Sequence, residues 1–197
     1  MRKTALIPID IQRGFDLPPW GRRNNPDMES HGLRLLQAWR RAGQPIFHVR
    51  HDSIAPASSL RPGQIGNAFR PGFEPLDDEP VIAKSVNCAF IGTDLELRLR
   101  RARIDRLVLF GISTDMCVST TARVASNLDF ETLVVGDACF CFDQIGFDGR
   151  NIAAEALHDA HLATLRAEFA QVLDTDSALR LDGIAESIPA RTAGARA

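Results

Sequence analysis

Cys117, Asp10 and Lys84 are the residues of this chain whose types and settings could do chemistry, as a nucleophilic thiol, a carboxylate and a buried ammonium. Cys117 lies in Gly111-Ile112-Ser113-Thr114-Asp115-Met116-Cys117-Val118. Ser113, Thr114 and Asp115 are residue types that cap a helix N-terminus. The apolar positions Val118, Ala122, Val124, Ala125 and Leu128 continue as a helical stripe. Cys117 is thereby placed in a first helical turn, where unpaired N–H groups and the helix dipole favour a thiolate. The alternative is a small buried apolar residue, the common fate of a free cysteine. Asp10 directly follows the apolar run Thr4–Ile9, so it is either an acid at a ligand crevice or a turn aspartate. Of 23 basic residues only Lys3 and Lys84 are lysines. Lys84 ends the apolar run Pro80-Val81-Ile82-Ala83, which reads as a short buried strand, and a compact ammonium can sit against one carboxylate in a tight pocket where a guanidinium fork cannot; otherwise it snorkels to the surface.

The elements that must position these residues alternate between strands and helices. Strands are expected at Thr4–Ile9, Pro45–Val49, Val81–Ala83, Arg106–Phe110, Glu131–Val135 and, as a short edge, Ala170–Leu173. Pro8 lacks an N–H and suggests that the first strand is ending there. Helices are expected from about Met28 or Ser30 to Arg41, with Gly43 closing it, then over Asp94–Arg103, from Cys117 to about Leu128, and over about Asn151–Ala167, with Asp176 capping a last short one. This pattern predicts a three-layer α/β sandwich with a mainly parallel, six-stranded, Rossmann-like sheet. In the order 3-2-1-4-5-6, strands one and four meet at the switch point, and Asp10, Lys84 and Cys117 share the carboxyl rim, with Lys84 reaching inward. The long stretch from Arg50 to Glu79, with prolines at 56, 62, 71 and 75, is expected to form a pocket wall. Ala138–Gly149 is expected to be a loop. Residues 1–182 are read as one domain and 183–197 as a mobile tail.

Hydrophobic content of 45%, charged content of 24% and a net charge of −2 are those of a globular chain without a basic nucleic-acid or membrane surface. No run approaches a membrane span, and no leader precedes the first strand, so the expectation is a cytoplasmic protein. Cys88, Cys117, Cys139 and Cys141 form no CxxC pair or zinc-finger spacing and are expected to be free thiols.

Taken together, several segments resemble the isochorismatase-like cysteine hydrolase superfamily, which includes nicotinamidases and N-carbamoylsarcosine amidases. They are Ile9-Asp10-Ile11-Gln12-Arg13-Gly14-Phe15, Lys84 with Asn87-Cys88-Ala89-Phe90, Thr93-Asp94-Leu95, Gly111–Val118, Thr121-Ala122-Arg123, Gly136-Asp137-Ala138 and His161–Leu165. The resemblance spans roughly residues 4 to 175. It implies a catalytic triad of Asp10, Lys84 and Cys117, a thioester at Cys117 and hydrolysis of a carbon–nitrogen (amide or ureido-type) bond in a small molecule. It further implies an oxyanion hole from the N–H groups of Ser113 and Cys117, a cis peptide at Ile112–Ser113, and a homo-oligomer, dimer or tetramer.

Nicotinamidases also bind a metal through an Asp-x-His pair and a later histidine. Here His48-Val49-Arg50-His51-Asp52 is followed by no histidine before His158, so no metal and no other cofactor is expected, and His51 and Asp52 are placed at the pocket edge or a subunit contact. Cys117 sets the chain apart from isochorismatases that lack the cysteine and cleave a vinyl ether. Those two activities, and an inactive binding module, are the alternatives. Gln12, Phe15, Trp20, Asn67, Phe69, Asn87, Phe142 and Phe147 are candidate substrate contacts; Arg22 or Arg23 either meets an acidic substrate or, the commoner fate, lies exposed on the surface.

Overall fold

The computed structural model describes residues 3–184. The expected tail falls almost entirely on residues outside this range. Six parallel strands form the central sheet: β1 (Thr4–Ile9), β2 (His48–His51), β3 (Val81–Lys84), β4 (Arg106–Ile112), β5 (Glu131–Phe140) and β6 (Gln171–Leu173). Their order is β3-β2-β1-β4-β5-β6, the expected one of the common doubly wound orders. The helices are α1 (Met28–Ala42), α2 (Leu95–Arg101), α3 (Ser119–Asn127), α4 (Ala154–Thr164) and α5 (Thr175–Ala178). The central strands β1 and β4 are buried on both faces, which is why they read as continuous apolar runs. Leu35, Leu36 and Trp39 of α1 are fully buried, and Trp39 Nε1 donates to the Thr4 carbonyl at 3.0 Å. Gly43, at φ +60°, ends α1 in the left-handed conformation.

Five expectations are corrected. Pro8 does not end β1, which continues through Ile9 in full register with β4. The N–H groups of Leu6 and Asp10 both reach the β2 side, at Pro45 and Val49. Pro8 falls midway between them on that side, so its missing donor leaves one gap in the ladder without breaking the strand. Second, β3 is not buried on both faces: it is an edge strand whose exposure alternates, with Ile82 and Lys84 inward. Third, β5 does not stop at Val135. Leu109 pairs with Val134 and Gly111 with Cys139, so the Gly136-Asp137 segment is an irregularity, after which Cys139 and Phe140 pair with β4 again. Asp137 leaves the ladder to accept hydrogen bonds from the Thr175 N–H and hydroxyl. Last, Asn151–Ile152 is not helical but pairs with Gln144–Ile145 in a small antiparallel ribbon, and Asp174 rather than Asp176 caps α5 through the Ser177 N–H.

The ends of β1, β2, β3 and β4 converge on one rim of the sheet. Gly111 makes this possible. At φ +133° its absent Cβ would lie 2.1 Å from the Ile9 carbonyl oxygen, so β4 passes β1 more closely than any other residue type allows. The four cysteines are free and buried. Among the described residues no helix is long and apolar enough to cross a membrane.

Candidate active site

Asp10 follows β1 and turns the chain at φ +53°, a left-handed conformation that aspartate tolerates better than most residues. Its side chain is wholly buried. Lys84, the last residue of β3, pairs in register with His51, the last of β2. From there its stem crosses beneath β2 and brings Nζ to 2.5 Å from Asp10 Oδ2. The same Nζ lies 3.1 Å from His51 Nδ1 and 3.4 Å from Cys117 Sγ. An ammonium has three donors and no acceptor, so all three contacts are donations from Lys84. The second Asp10 oxygen, Oδ1, is buried without a hydrogen-bond partner, and Cys117 is the acid facing that carboxyl group.

Cys117 sits in a wide turn, Thr114–Val118, that enters α3. The Val118 N–H reaches back to the Ser113 carbonyl at 3.1 Å, the five-residue spacing of a π turn. The Ile112–Ser113 peptide bond is cis. Asp115 fixes the turn: its carboxylate accepts the Ser113 hydroxyl at 2.6 Å, the Gln144 amide at 2.5 Å and the Cys141 thiol at 3.3 Å. Burial, with the charge of Asp115, pushes Cys141 up to about 12. Thr114 is tied to His158 Nδ1 at 2.8 Å.

Burial pushes Cys117 up, and the charge of Asp10 adds to it; Lys84 opposes both but does not prevail. This burial works against the thiolate that a helix N-terminus favours. Burial also raises Asp10, against the pull of Lys84. Burial and the Lys84 charge lower His51, so its imidazole is neutral near pH 7.

A cavity of about 220 Å³ opens over the sulfur, with Cys117, Ser113, Met116, His51, Asn87 and the aromatic pair Phe15 and Trp20 on its wall. The loop after β2 adds Ser53, Ser58 and Leu60. No wall residue carries an arginine, lysine or carboxylate side chain. Phe15, Trp20 and Asn87 are thus on the wall, whereas Gln12, Asn67, Phe69 and Phe142 are not. Phe142 stacks behind Trp20 at 4.9 Å. Gln12 is fully buried and clamps the backbone of His51, donating to its carbonyl and accepting from its N–H. Asn67 donates to the same carbonyl, to Asp52 and to Leu60. Phe69 lies against His48, and Phe147 is fully exposed on the ribbon. Arg22 is engaged by Asp143 and Glu155, and Arg23 by Glu29, so neither is free for an acidic substrate. His51, expected at the pocket edge, stands on the wall, whereas Asp52 does not; composition and spacing missed the contact of His51 with Lys84 and the contribution of Ser53, Ser58, Leu60 and Met116. The long irregular loop was the only signal, and it did not say which of its residues face the sulfur.

Asp10, His51 and Cys117 place ligand-type atoms within 4.8 Å of one another. These are the side chains to which Lys84 donates. The ammonium occupies the place a metal cation would take, and the donor set does not fit a metal beside a charged Lys84. His48, the other histidine of β2, is buried against Glu79 at 2.8 Å and away from the cavity wall.

A model of the isochorismatase domain matches residues 4–177. The chain belongs to the isochorismatase family. It is 39% identical to the isochorismatase family protein YrdC of Bacillus subtilis over 174 residues, covering 88% of this chain and 93% of that one. A crystal structure of an isochorismatase-family protein from Chromobacterium violaceum superposes with a TM-score of 0.86 at 44% identity, over 90% of this chain and 92% of the other. Nicotinamidase 3 of Arabidopsis thaliana is similar at 26% identity over 190 residues, 90% of this chain and 87% of that one. The chain is thus an isochorismatase-family hydrolase.

Proposed function

We propose that this isochorismatase-family hydrolase cleaves a carbon–nitrogen bond, amide or ureido-type, in a small uncharged molecule through a thioester at Cys117. The observation that carries the proposal is the position of Lys84 Nζ, within hydrogen-bond reach of both Asp10 Oδ2 and Cys117 Sγ, beneath a cavity that exposes the sulfur. Asp10 takes the thiol proton as sulfur attacks the carbonyl carbon, so no charge accumulates on a buried thiolate. The carbonyl oxygen gathers the electron pair, held by the N–H groups of Ser113 and Cys117. Collapse of this intermediate breaks the C–N bond, and Asp10 returns its proton to the leaving nitrogen. Asp10 then takes a proton from water as its oxygen attacks the thioester. The acid departs, and the proton returns to the sulfur. Lys84 keeps its charge throughout and offsets the negative charge passed between sulfur and carboxylate.

Isochorismatase itself acts on a C–O bond of an acidic substrate; among the described residues this wall carries no arginine or lysine side chain to pair with carboxylates. That favours the uncharged amide. The test is ammonia release from a panel of small amides and ureides, run beside isochorismate, with Cys117→Ser and Cys117→Ala as controls. Turnover of an amide that both variants abolish is the expected result. Turnover of isochorismate alone, or hydrolysis that survives in both variants, would overturn the proposal, and no turnover with a Cys117 no more reactive than Cys88 would leave a binding module.

A further inference from the structure

His51 has no part in the proton transfers described above, yet it is the polar side chain most closely tied to them. Its Nδ1 accepts from Lys84 Nζ at 3.1 Å. A nitrogen that accepts a hydrogen bond carries no proton, so the neutral ring is protonated at Nε2. Among the described residues no group bonds to Nε2, and His51 is one of the residues lining the cavity. The backbone of His51 is held on both sides. Gln12 Oε1 accepts its N–H at 2.8 Å, and its carbonyl accepts from Gln12 and Asn67, each at 3.1 Å. Two fully or nearly buried amides therefore fix where this ring stands. Burial and the adjacent ammonium keep it neutral, so its tautomer does not change with modest changes in pH.

We propose that His51 is a substrate-binding donor: Lys84 locks its tautomer, and Nε2–H donates to an acceptor atom, a carbonyl oxygen or an unprotonated nitrogen, of the molecule over Cys117. Lys84 then has two functions at once. It holds the Asp10–Cys117 pair, and through His51 it presents a donor that cannot become an acceptor, unlike the Asn87 amide and the serine hydroxyls elsewhere on the wall, which offer both. A donor that cannot become an acceptor discriminates between ligands. Bringing an N–H of a ligand against Nε2–H leaves two buried donors unpaired, which costs more than one missing hydrogen bond. The inference rests on Cys117 being the reactive group of the proposed function.

Two alkylators that both react by displacement of iodide separate the parts. Iodoacetamide carries a carbonyl acceptor, whereas methyl iodide carries none. The rate at which each labels Cys117 in the intact protein is read by peptide mass spectrometry. In His51→Asn the amide oxygen can still accept from Lys84, but the distant donor is gone. In His51→Gln a donor is restored near the Nε2 position. The expected result is that the iodoacetamide-to-methyl iodide rate ratio falls by roughly tenfold in His51→Asn, about the worth of one hydrogen bond, and recovers in His51→Gln. An unchanged ratio in His51→Asn overturns the inference. So does an equal loss with both reagents, because His51 would then act on the sulfur through Lys84 and not on the ligand. If neither reagent prefers Cys117 over Cys88, Cys139 and Cys141 in the wild type, the underlying nucleophile assignment fails instead.

Discussion

Lys84 Nζ lies 2.5 Å from Asp10 Oδ2, and neither side chain has any exposure to solvent. The two residues are 74 positions apart and come from strands separated by β2. A buried ion pair of this kind is costly to assemble and more costly to break. Asp10→Asn leaves an ammonium without a countercharge, and Lys84→Met leaves a carboxylate in the same position. Each single variant is expected to lose about 3–5 kcal/mol in denaturant unfolding, while Asp10→Asn/Lys84→Met together regains most of it. Activity follows a different pattern, with all three variants losing roughly 10²-fold or more in kcat. A double variant less stable than either single one would remove the ion pair from this account.

The reactivity of Cys117 gives a signed test of the electrostatics. Burial raises the thiol first, the Asp10 charge raises it further, and Lys84 lowers it. Removing Asp10's charge takes away a raising influence, and removing that of Lys84 takes away a lowering one. In rate–pH profiles of iodoacetamide labelling, the midpoint at Cys117 is expected to move to lower pH in Asp10→Asn and to higher pH in Lys84→Met. Asp10→Asn thus alkylates more readily at neutral pH even as it loses turnover. Shifts in the same direction in both variants would contradict the arrangement.

Glu79 ties the segment before β3 to α1 and β2 by accepting from Arg40 and bonding His48, each at 2.8 Å. Although burial alone would raise it, Arg40 and the Leu76 N–H hold Glu79 down to about 2. A carboxyl group lower in the folded than in the unfolded chain stabilises the fold above the unfolded value of 4.5, and that contribution is lost as pH falls toward about 2. Thermal unfolding from pH 6 to pH 2 is expected to show a shallower acid decline in Glu79→Gln. Parallel curves for the variant and the wild type would exclude this group as a source of the acid sensitivity.

Gly111→Ala tests the close passage of β4 and β1. The added Cβ would stand 2.1 Å from a backbone oxygen that cannot swing away, on a backbone at φ +133°. The expected loss is about 4 kcal/mol or more by chemical denaturation, with Cys117 reactivity lost in any folded fraction, because the strand that places Ser113 and Cys117 must shift. Near-native stability would show that the passage is wider than described.

Because Lys84 already donates to Asp10, His51 and Cys117, treatment with EDTA followed by gel filtration is expected to leave hydrolysis unchanged, and added Zn²⁺ is expected to inhibit by binding the sulfur and imidazole. Loss of turnover on chelation, restored by metal, would contradict the assignment of the cation position to Lys84.

Much of this protein is determined locally. The apolar runs Thr4–Ile9 and Leu107–Phe110 have one way to be satisfied, between neighbouring strands, so the parallel sheet and the placing of Asp10 and Cys117 at strand ends follow from alternation and chain connectivity. The rarity of lysine singled out Lys84 before any contact was known. Tertiary structure decided what depends on several distant segments at once. Gln12 and Asn67 have the polar side chains of pocket residues, yet each spends its donors and acceptors on the backbone around His51. Asp52 and Arg50 satisfy each other. His51 faces Lys84 because β2 and β3 pair in that register, and a shift of one residue would turn it to the opposite face of the sheet. The surroundings of Cys117 belong to the same class. Its position at a helix entrance is written in adjacent residues and favours a thiolate, whereas the burial and the Asp10 charge that oppose it come from segments distant in the chain, which meet only in the folded protein.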